Sequence, residues 1–134
     1  MEFKDLIINQ DQILNLYQNN SWFAYLRDKD SLFRGINNSL DKIGAYENGE
    51  LVGLIRTIGD SETILYIQDI LVLKECQGNG IGRRLLNLIL KRYPNVRQIN
   101  LATDNQESTK SFYKSLGFKE YKEADIIGFY FERK

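Results

Sequence analysis

Apolar residues spaced for a strand run from Phe3 to Ile8 and stop at the polar triplet Asn9-Gln10-Asp11. Ile13, Leu14, Leu16 and Tyr17 then recur on one helical face, and Asn19-Asn20-Ser21 breaks that helix. Trp22, Phe23, Tyr25 and Leu26 follow without a clean period. Asp30-Ser31 offers a cap for a second helix carrying Leu32, Phe33, Ile36 and Leu40. Ile43 to Tyr46 and Leu51 to Ile58 flank Glu47-Asn48-Gly49-Glu50, whose Asn-Gly pair supplies the positive φ angles of a tight hairpin. Gly59-Asp60-Ser61-Glu62 turns the chain into a long strand from Thr63 to Leu73. Three consecutive antiparallel strands are predicted.

The period then changes. Ile81 to Tyr93 reads as helix, Gln98 to Ala102 as strand and Gln106 to Leu116 as helix, with Gly117 placed to end it in the left-handed conformation. Two short strands, Phe118 to Tyr121 and Ile127 to Glu132, complete the reading. A meander leading into a strand-helix-strand unit predicts an α/β (α+β) domain with a mixed central sheet. No repeat, linker or low-complexity tract interrupts it, so residues 1–134 are expected to form one domain.

Composition narrows the chemistry. With 43% hydrophobic and 12% aromatic residues, a chain of 134 residues can fill one core. Eighteen basic and eighteen acidic residues cancel, so no basic field points to nucleic acid or an anionic membrane. One cysteine, Cys76, rules out an intrachain disulfide, and the absence of histidine removes histidine bases and the usual zinc sites, so no metal is expected. The first residues lack a signal-peptide pattern, and no run approaches a membrane span. A soluble, cytoplasmic protein is expected. The exposed last strand would offer an edge to a second copy, so a homodimer is an expectation too.

The densest chemical signal is Gln77-Gly78-Asn79-Gly80-Ile81-Gly82-Arg83, set between a strand-like and a helix-like run. Glycines let backbone N–H groups converge, and a helix start adds the positive end of its dipole, so the turn suits a phosphate. The nucleotide-triphosphatase loop requires Gly-Lys-Ser/Thr, whereas Gly82 is followed by Arg83-Arg84. A dinucleotide fingerprint requires Gly-x-Gly-x-x-Gly, and Leu85 falls where the third spacing would end. A dinucleotide-binding protein is therefore the weaker alternative, with Asp104 at roughly the distance of a ribose-binding acid.

Gln77-x-x-Gly80-x-Gly82 resembles the acetyl-CoA pyrophosphate signature of the GNAT N-acetyltransferase superfamily, and Val72-Leu73-Lys74-Glu75-Cys76 resembles its lead-in. Asn105, Ser108 and Phe112-Tyr113-Lys114-Ser115-Leu116-Gly117-Phe118 resemble the downstream element of the same family. The resemblance implies the acyl-CoA N-acyltransferase fold, with about six to seven strands and about four helices. It also implies acetyl transfer from coenzyme A to a primary amine of a small molecule or peptide. A non-catalytic acyl-CoA sensor or interaction module is the alternative.

Under that resemblance, the strand of Leu71, Val72 and Leu73 splays from the strand of Asn100 to Ala102 and takes the pantetheine arm on its backbone. Gln77, Gly78, Asn79, Gly80, Ile81, Gly82 and Arg83 hold the phosphates, and Asn105 and Ser108 approach the same cofactor. Tyr113 occupies the position of the tyrosine that faces the departing sulfur. An amine that titrates near lysine needs a base or a desolvating pocket. Asp69, a carboxylate inside an apolar strand, is one candidate, unless it pairs with an arginine such as Arg56. A water relayed by Gln68 is another. Trp22, Phe23 and Tyr25 are the expected acceptor-binding residues, with Arg27 and Phe33 nearby, since ring faces attract cationic amines.

Overall fold

The computed structural model describes residues 1–133. They cluster into two compact units, Met1 to Ala102 and the residues from Thr103 onward.

In the first unit, β1 (Glu2–Asp5) leads into α1 (Gln10–Asn19), α2 (Phe23–Leu26) and α3 (Lys29–Asn37). The strands β2 (Asp41–Glu47), β3 (Glu50–Gly59) and β4 (Ile64–Val72) follow, then α4 (Ile81–Arg92) and β5 (Gln98–Leu101). The sheet runs β1-β2-β3-β4-β5, antiparallel except for the β4–β5 pair. The predicted meander is present. A doubly wound dinucleotide fold would require parallel pairing through most of the sheet, so the dinucleotide alternative fails at the level of topology.

Local chemistry sets the helix starts. The Asn9 side chain accepts from the Gln12 N–H and starts α1. Asp28, not the expected Asp30-Ser31, caps α3 by accepting from the Ser31 N–H. That helix ends at Asn37, so Leu40 lies beyond it and is exposed. The first strand stops at Asp5, leaving Ile7 and Ile8 exposed. Trp22 to Leu26, where no period was legible, holds the single-turn α2.

Strand β3 is buried on both faces from Leu51 to Thr57, as a central strand should be. Alternation sends Gly53 to one face and Arg56 to the other. On Gly53's side lies α4: a Cβ there would sit 3.2 Å from Ile81 Cγ2 and 3.1 Å from the Leu71 carbonyl oxygen, so glycine allows the close packing of helix on sheet. On Arg56's side lies α1, whose Tyr17 hydroxyl reaches Asp69 on β4. Ile13, Leu16, Ile36, Leu54 and Leu65 are fully buried in this unit.

The second unit contains α5 (Glu107–Ser115), Gly117 at φ 94° and a 3-10 turn over Tyr121–Ala124. Neither strand expected after Gly117 forms, so the sheet has five strands rather than about six to seven. Glu120 and Glu123 make a reciprocal capping box that turns the chain into the 3-10 segment and removes Tyr121 from any ladder. Asp125 then adopts φ 57°, and Ile127, Phe129, Tyr130 and Phe131 are left 75–94% exposed. Without that last strand, the edge argument for a homodimer has no basis. Among the described residues no helix is long and apolar enough to cross a membrane.

Truncating Leu54 should expose how much of the fold rests on the central strand. Leu54→Ala is expected to lower the unfolding free energy by about 2–5 kcal/mol in urea titration. A loss below about 1 kcal/mol would contradict the packing described.

Candidate active site

The site begins where β4 loses a neighbour. Strand β5 pairs with Ile64 to Ile67 only, so β4 continues from Gln68 to Val72 with one edge open. On its other edge the register passes from Arg56↔Asp69 to Thr57↔Ile67, which makes Gln68 the extra residue of a β-bulge. Leu73 N–H donates to the Val52 carbonyl at 2.9 Å. Counting back in twos, the main-chain groups of Leu71 and Leu73 face β3, whereas those of Ile70 and Val72 face the open edge. Of the expected trio of Leu71, Val72 and Leu73, strand parity turns only the main-chain groups of Val72 to the open edge, with those of Ile70 beside them.

Loop and helix residues hold this edge in place. The Val72 carbonyl accepts from Asn20 Nδ2 and from Gln77 Nε2, both at 3.2 Å. Asn19 Oδ1 accepts from the Lys74 N–H at 2.9 Å. The Asn19-Asn20 pair, which reads in sequence as a helix breaker, therefore clamps the end of α1 to the end of β4.

Beyond the clamp, Gly78 and Gly80 adopt φ 85° and 79°, and Asn79 Nδ2 donates to the Cys76 carbonyl across the turn. Gly80 is the N-cap of α4 and contributes no side-chain cap. The first helical bond runs from Arg84 N–H to the Gly80 carbonyl, so the amides of Ile81 and Gly82 have no carbonyl within the helix. No acidic residue stands in the first turn of α4. Converging amides, a helix dipole and no carboxylate fit a phosphate group. Ile81 contributes only its amide, because its side chain is buried in the core. Arg83 is exposed on the first turn, while Arg84 places its guanidinium 4.2 Å over the Phe3 ring.

Asp69 is almost wholly buried and sits in a polar knot. Its carboxylate accepts from Tyr17 and Tyr25 hydroxyls, each at 2.8 Å, and forms an ion pair with Arg56 Nε at 2.5 Å. Burial works against the Arg56 charge, but Asp69 outweighs it and the guanidinium is held above its ordinary range. Burial, then the Asp69 charge, pushes both tyrosine phenols up. Three donors leave Asp69 poorly placed to take a proton from an amine. The Arg56 pairing weighed against catalysis is the one that forms.

The aromatic residues of the second helical segment divide. Trp22 and Tyr25 stack at 6.0 Å, and Tyr17 meets both edge-on, so these rings form one cluster beside the knot. Phe23 is exposed outside it, and Phe33 belongs to the core. A groove of about 270 Å³ is lined by Tyr25, Asp28, Ser31 and Arg56, among others.

In the second unit, Asn105 and Ser108 are exposed at the start of α5. Tyr113 meets Phe112 and Phe118 edge-on at 5.1 and 5.8 Å. Burial, with Asp104 adding to it, pushes its phenol up to about 12.

An open strand edge running into a glycine-capped helix start suits a phosphate-bearing carrier with an extended, amide-rich arm. The sequence profile described as an acetyltransferase (GNAT) domain matches residues 10–126, and the chain belongs to this family. A protein of Gibberella zeae, FG08082, which carries an acetyltransferase designation, is 34% identical over 119 residues, covering 86% of this chain and 64% of that protein. The chain thus spans just under two thirds of that relative. A GNAT-family acetyltransferase of Streptococcus pneumoniae, SP0256, superposes with a TM-score of 0.88 at 30% identity, over 99% of this chain and 98% of its own. An aminoglycoside 6'-acetyltransferase type Ii matches with a TM-score of 0.75 at 25% identity, over 89% and 83% of the two chains.

Two outcomes are expected from this geometry. Gly80→Asp places a carboxylate and a left-handed strain at the helix start, and should weaken acetyl-CoA binding by roughly 100-fold in calorimetry; unchanged affinity in a folded variant would contradict the phosphate assignment. The raised Tyr113 phenol favours the folded chain below pH 10, and that contribution is lost as pH rises from 10.0 to about 12. Tyr113→Phe should therefore flatten the decline of stability across this window in denaturant titrations at successive pH values, and an equally steep decline would refute the shift.

Proposed function

We propose that the chain is an acetyl-CoA-dependent N-acetyltransferase in which an amine of a small molecule or peptide attacks the thioester directly. The observation that carries this reading is the departure of β5 from β4 just before the glycine-capped start of α4. An arm of amides needs an unpaired strand edge, and linked phosphates need a helix start. The main-chain groups of Ile70 and the N–H of Val72 would take the arm, the Val72 carbonyl being held by Asn20 and Gln77. The amides from Gln77 to Gly82 would hold the phosphates, with the Arg83 side chain adding charge.

In the reaction the amine nitrogen forms a bond to the acetyl carbon, the carbon–sulfur bond breaks, the nitrogen gives up a proton and the sulfur gains one. An N–H at Ile70 or Val72 suits the oxygen that becomes negative as the nitrogen adds. An acceptor that titrates near ~10.4 requires about 4–5 kcal/mol to present its free base at neutral pH. With Asp69 committed to three donors, that proton passes to water at the Gln68 bulge. The family resemblance assigns Tyr113 to the departing sulfur as a hydrogen-bond donor. A thiol near ~8.5 is more acidic than a phenol near ~10, so full proton transfer from Tyr113 is uphill.

Trp22 and Tyr25 form the acceptor wall, and the Asp28 carboxylate in the adjoining groove suits a cationic amine. The structural relative named for an aminoglycoside substrate supports including amino sugars among the acceptors.

Incubation with acetyl-CoA and a panel of amines, followed by free-thiol detection, tests this function. Acceptor-dependent thiol release is expected, and Tyr113→Phe should reduce kcat by roughly tenfold or more without loss of acetyl-CoA affinity. Tight acetyl-CoA binding with no acceptor-dependent thiol would identify a sensor instead, and an unchanged rate in Tyr113→Phe would remove its assigned role.

A further inference from the structure

Gln68 and Asp69 are consecutive on a strand, where side chains ordinarily point to opposite faces. The bulge cancels that alternation, and both side chains meet the same atom, the Tyr25 hydroxyl oxygen. A phenol has one proton. Tyr25 gives it to Asp69 Oδ1 at 2.8 Å, and the ion-paired carboxylate has only lone pairs to offer in return. The Tyr25 oxygen can then only accept, and Arg56 Nη2 donates to it at 3.3 Å. Whatever Gln68 turns toward Tyr25 must be a donor, and its Nε2 lies 2.9 Å away. The carboxamide has one remaining polar atom, its carbonyl oxygen Oε1, and this must face the other way.

That oxygen is available. Among the described residues no hydrogen bond of Gln68 uses it, and no buried side-chain nitrogen or oxygen lacks a partner, so Oε1 is open to solvent. It stands at the residue where β4 parts from β5.

We propose that the chain Asp69, Tyr25, Gln68 is a polarity relay that fixes the Gln68 amide with its carbonyl outward, so that the site presents a hydrogen-bond acceptor to the attacking nitrogen or to the water that takes its proton. Within the relay, Gln68 is the residue that touches the substrate side, and the Tyr25 hydroxyl, Asp69 and Arg56 are positioning groups acting through it. This inference rests on the N-acetyltransferase reading and sharpens it. An outward carbonyl selects acceptors that carry N–H donors and disfavours acceptors that present a carboxylate. A reversed amide would do the opposite. Tyr17, which also donates to Asp69, supports the same direction by keeping the carboxylate fully supplied with donors.

A double-mutant cycle tests the relay. Gln68→Met removes the carbonyl at nearly constant shape, and Tyr25→Phe removes the oxygen that orients it. Each is expected to lower kcat on an amine by roughly tenfold. The KM for acetyl-CoA should stay within about twofold. The double variant should be no slower than Gln68→Met alone, because Tyr25→Phe keeps the ring and removes only the hydroxyl, which acts through Gln68. Multiplying effects, or full activity in Tyr25→Phe, would overturn the proposal.

A second readout is independent of turnover. In the 15N-labelled wild-type protein the Gln68 side-chain amide protons should exchange slowly and resonate apart from free glutamines, and Tyr25→Phe should return them to the free position. A free-glutamine signal in the wild type would overturn the orientation. If no amine is acetylated by the wild type, the transferase reading fails while this signal still decides the orientation.

Discussion

The pairing of β4 with β5 lasts four residues, and its end at Ile67 leaves the edge of β4 on which the proposed cofactor site depends. A parallel pair carried to the end of β4 would saturate the main chain of Ile70 and Val72 and leave no edge for an arm of amides. A glycine-capped helix start alone would be a phosphate site with nothing behind it. The open edge and the helix start lie on one continuous segment, with only a short 3-10 turn between Val72 and the glycines. Side chains hold the two in register: Gln77 reaches back to the Val72 carbonyl, and Asn19 and Asn20 pin the same segment to α1.

An ion pair this deep in a protein rarely adds stability over an apolar substitute, since removing two charges from water costs nearly what their attraction returns. Its place in this fold is better explained by geometry. Arg56 and Asp69 sit opposite each other on β3 and β4 at the bulge, and Asp69 ties α1, through Tyr17, and α2, through Tyr25, to the same spot. The single turn of α2 buries none of its own residues, so hydrogen bonds and ring contacts from Tyr25 carry much of its attachment. Apolar replacements could restore stability there, but not the direction of a hydroxyl proton.

Much of the architecture was legible because period and turn chemistry agree. The hairpin at Asn48-Gly49, the long β4 and the helices on either side of β5 all lie close to where the pattern puts them. The glycine loop was legible for the same reason: positive φ at Gly78 and Gly80 is written in the residue type. Three features were not. Strand parity in β4 depends on a bulge at Gln68 that no residue type announces, so the sequence does not show which of Ile70 to Leu73 turn their main-chain groups outward. The Asn19-Asn20 clamp depends on partners more than fifty residues away in sequence. The C-terminal apolar run resembles a strand locally, yet a strand exists only with a hydrogen-bonded neighbour, and the Glu120–Glu123 capping box turns away the segment that would have supplied one. The Asp69 knot lies between these cases, since an acid in an apolar strand signals importance but not whether it will be paired.

In the proposed complex, coenzyme A lies along the open edge of β4 and ends on the first turn of α4. Titrating acetyl-CoA into the 15N-labelled protein and following backbone amides tests it most directly. The account predicts the largest shifts at the N–H groups of Ile70, Val72, Gly80, Ile81 and Gly82, with Leu71 and Leu73 moving little because theirs are held by β3. Shifts confined to other parts of the chain, or equal movement at all five residues from Ile70 through Lys74, would contradict it.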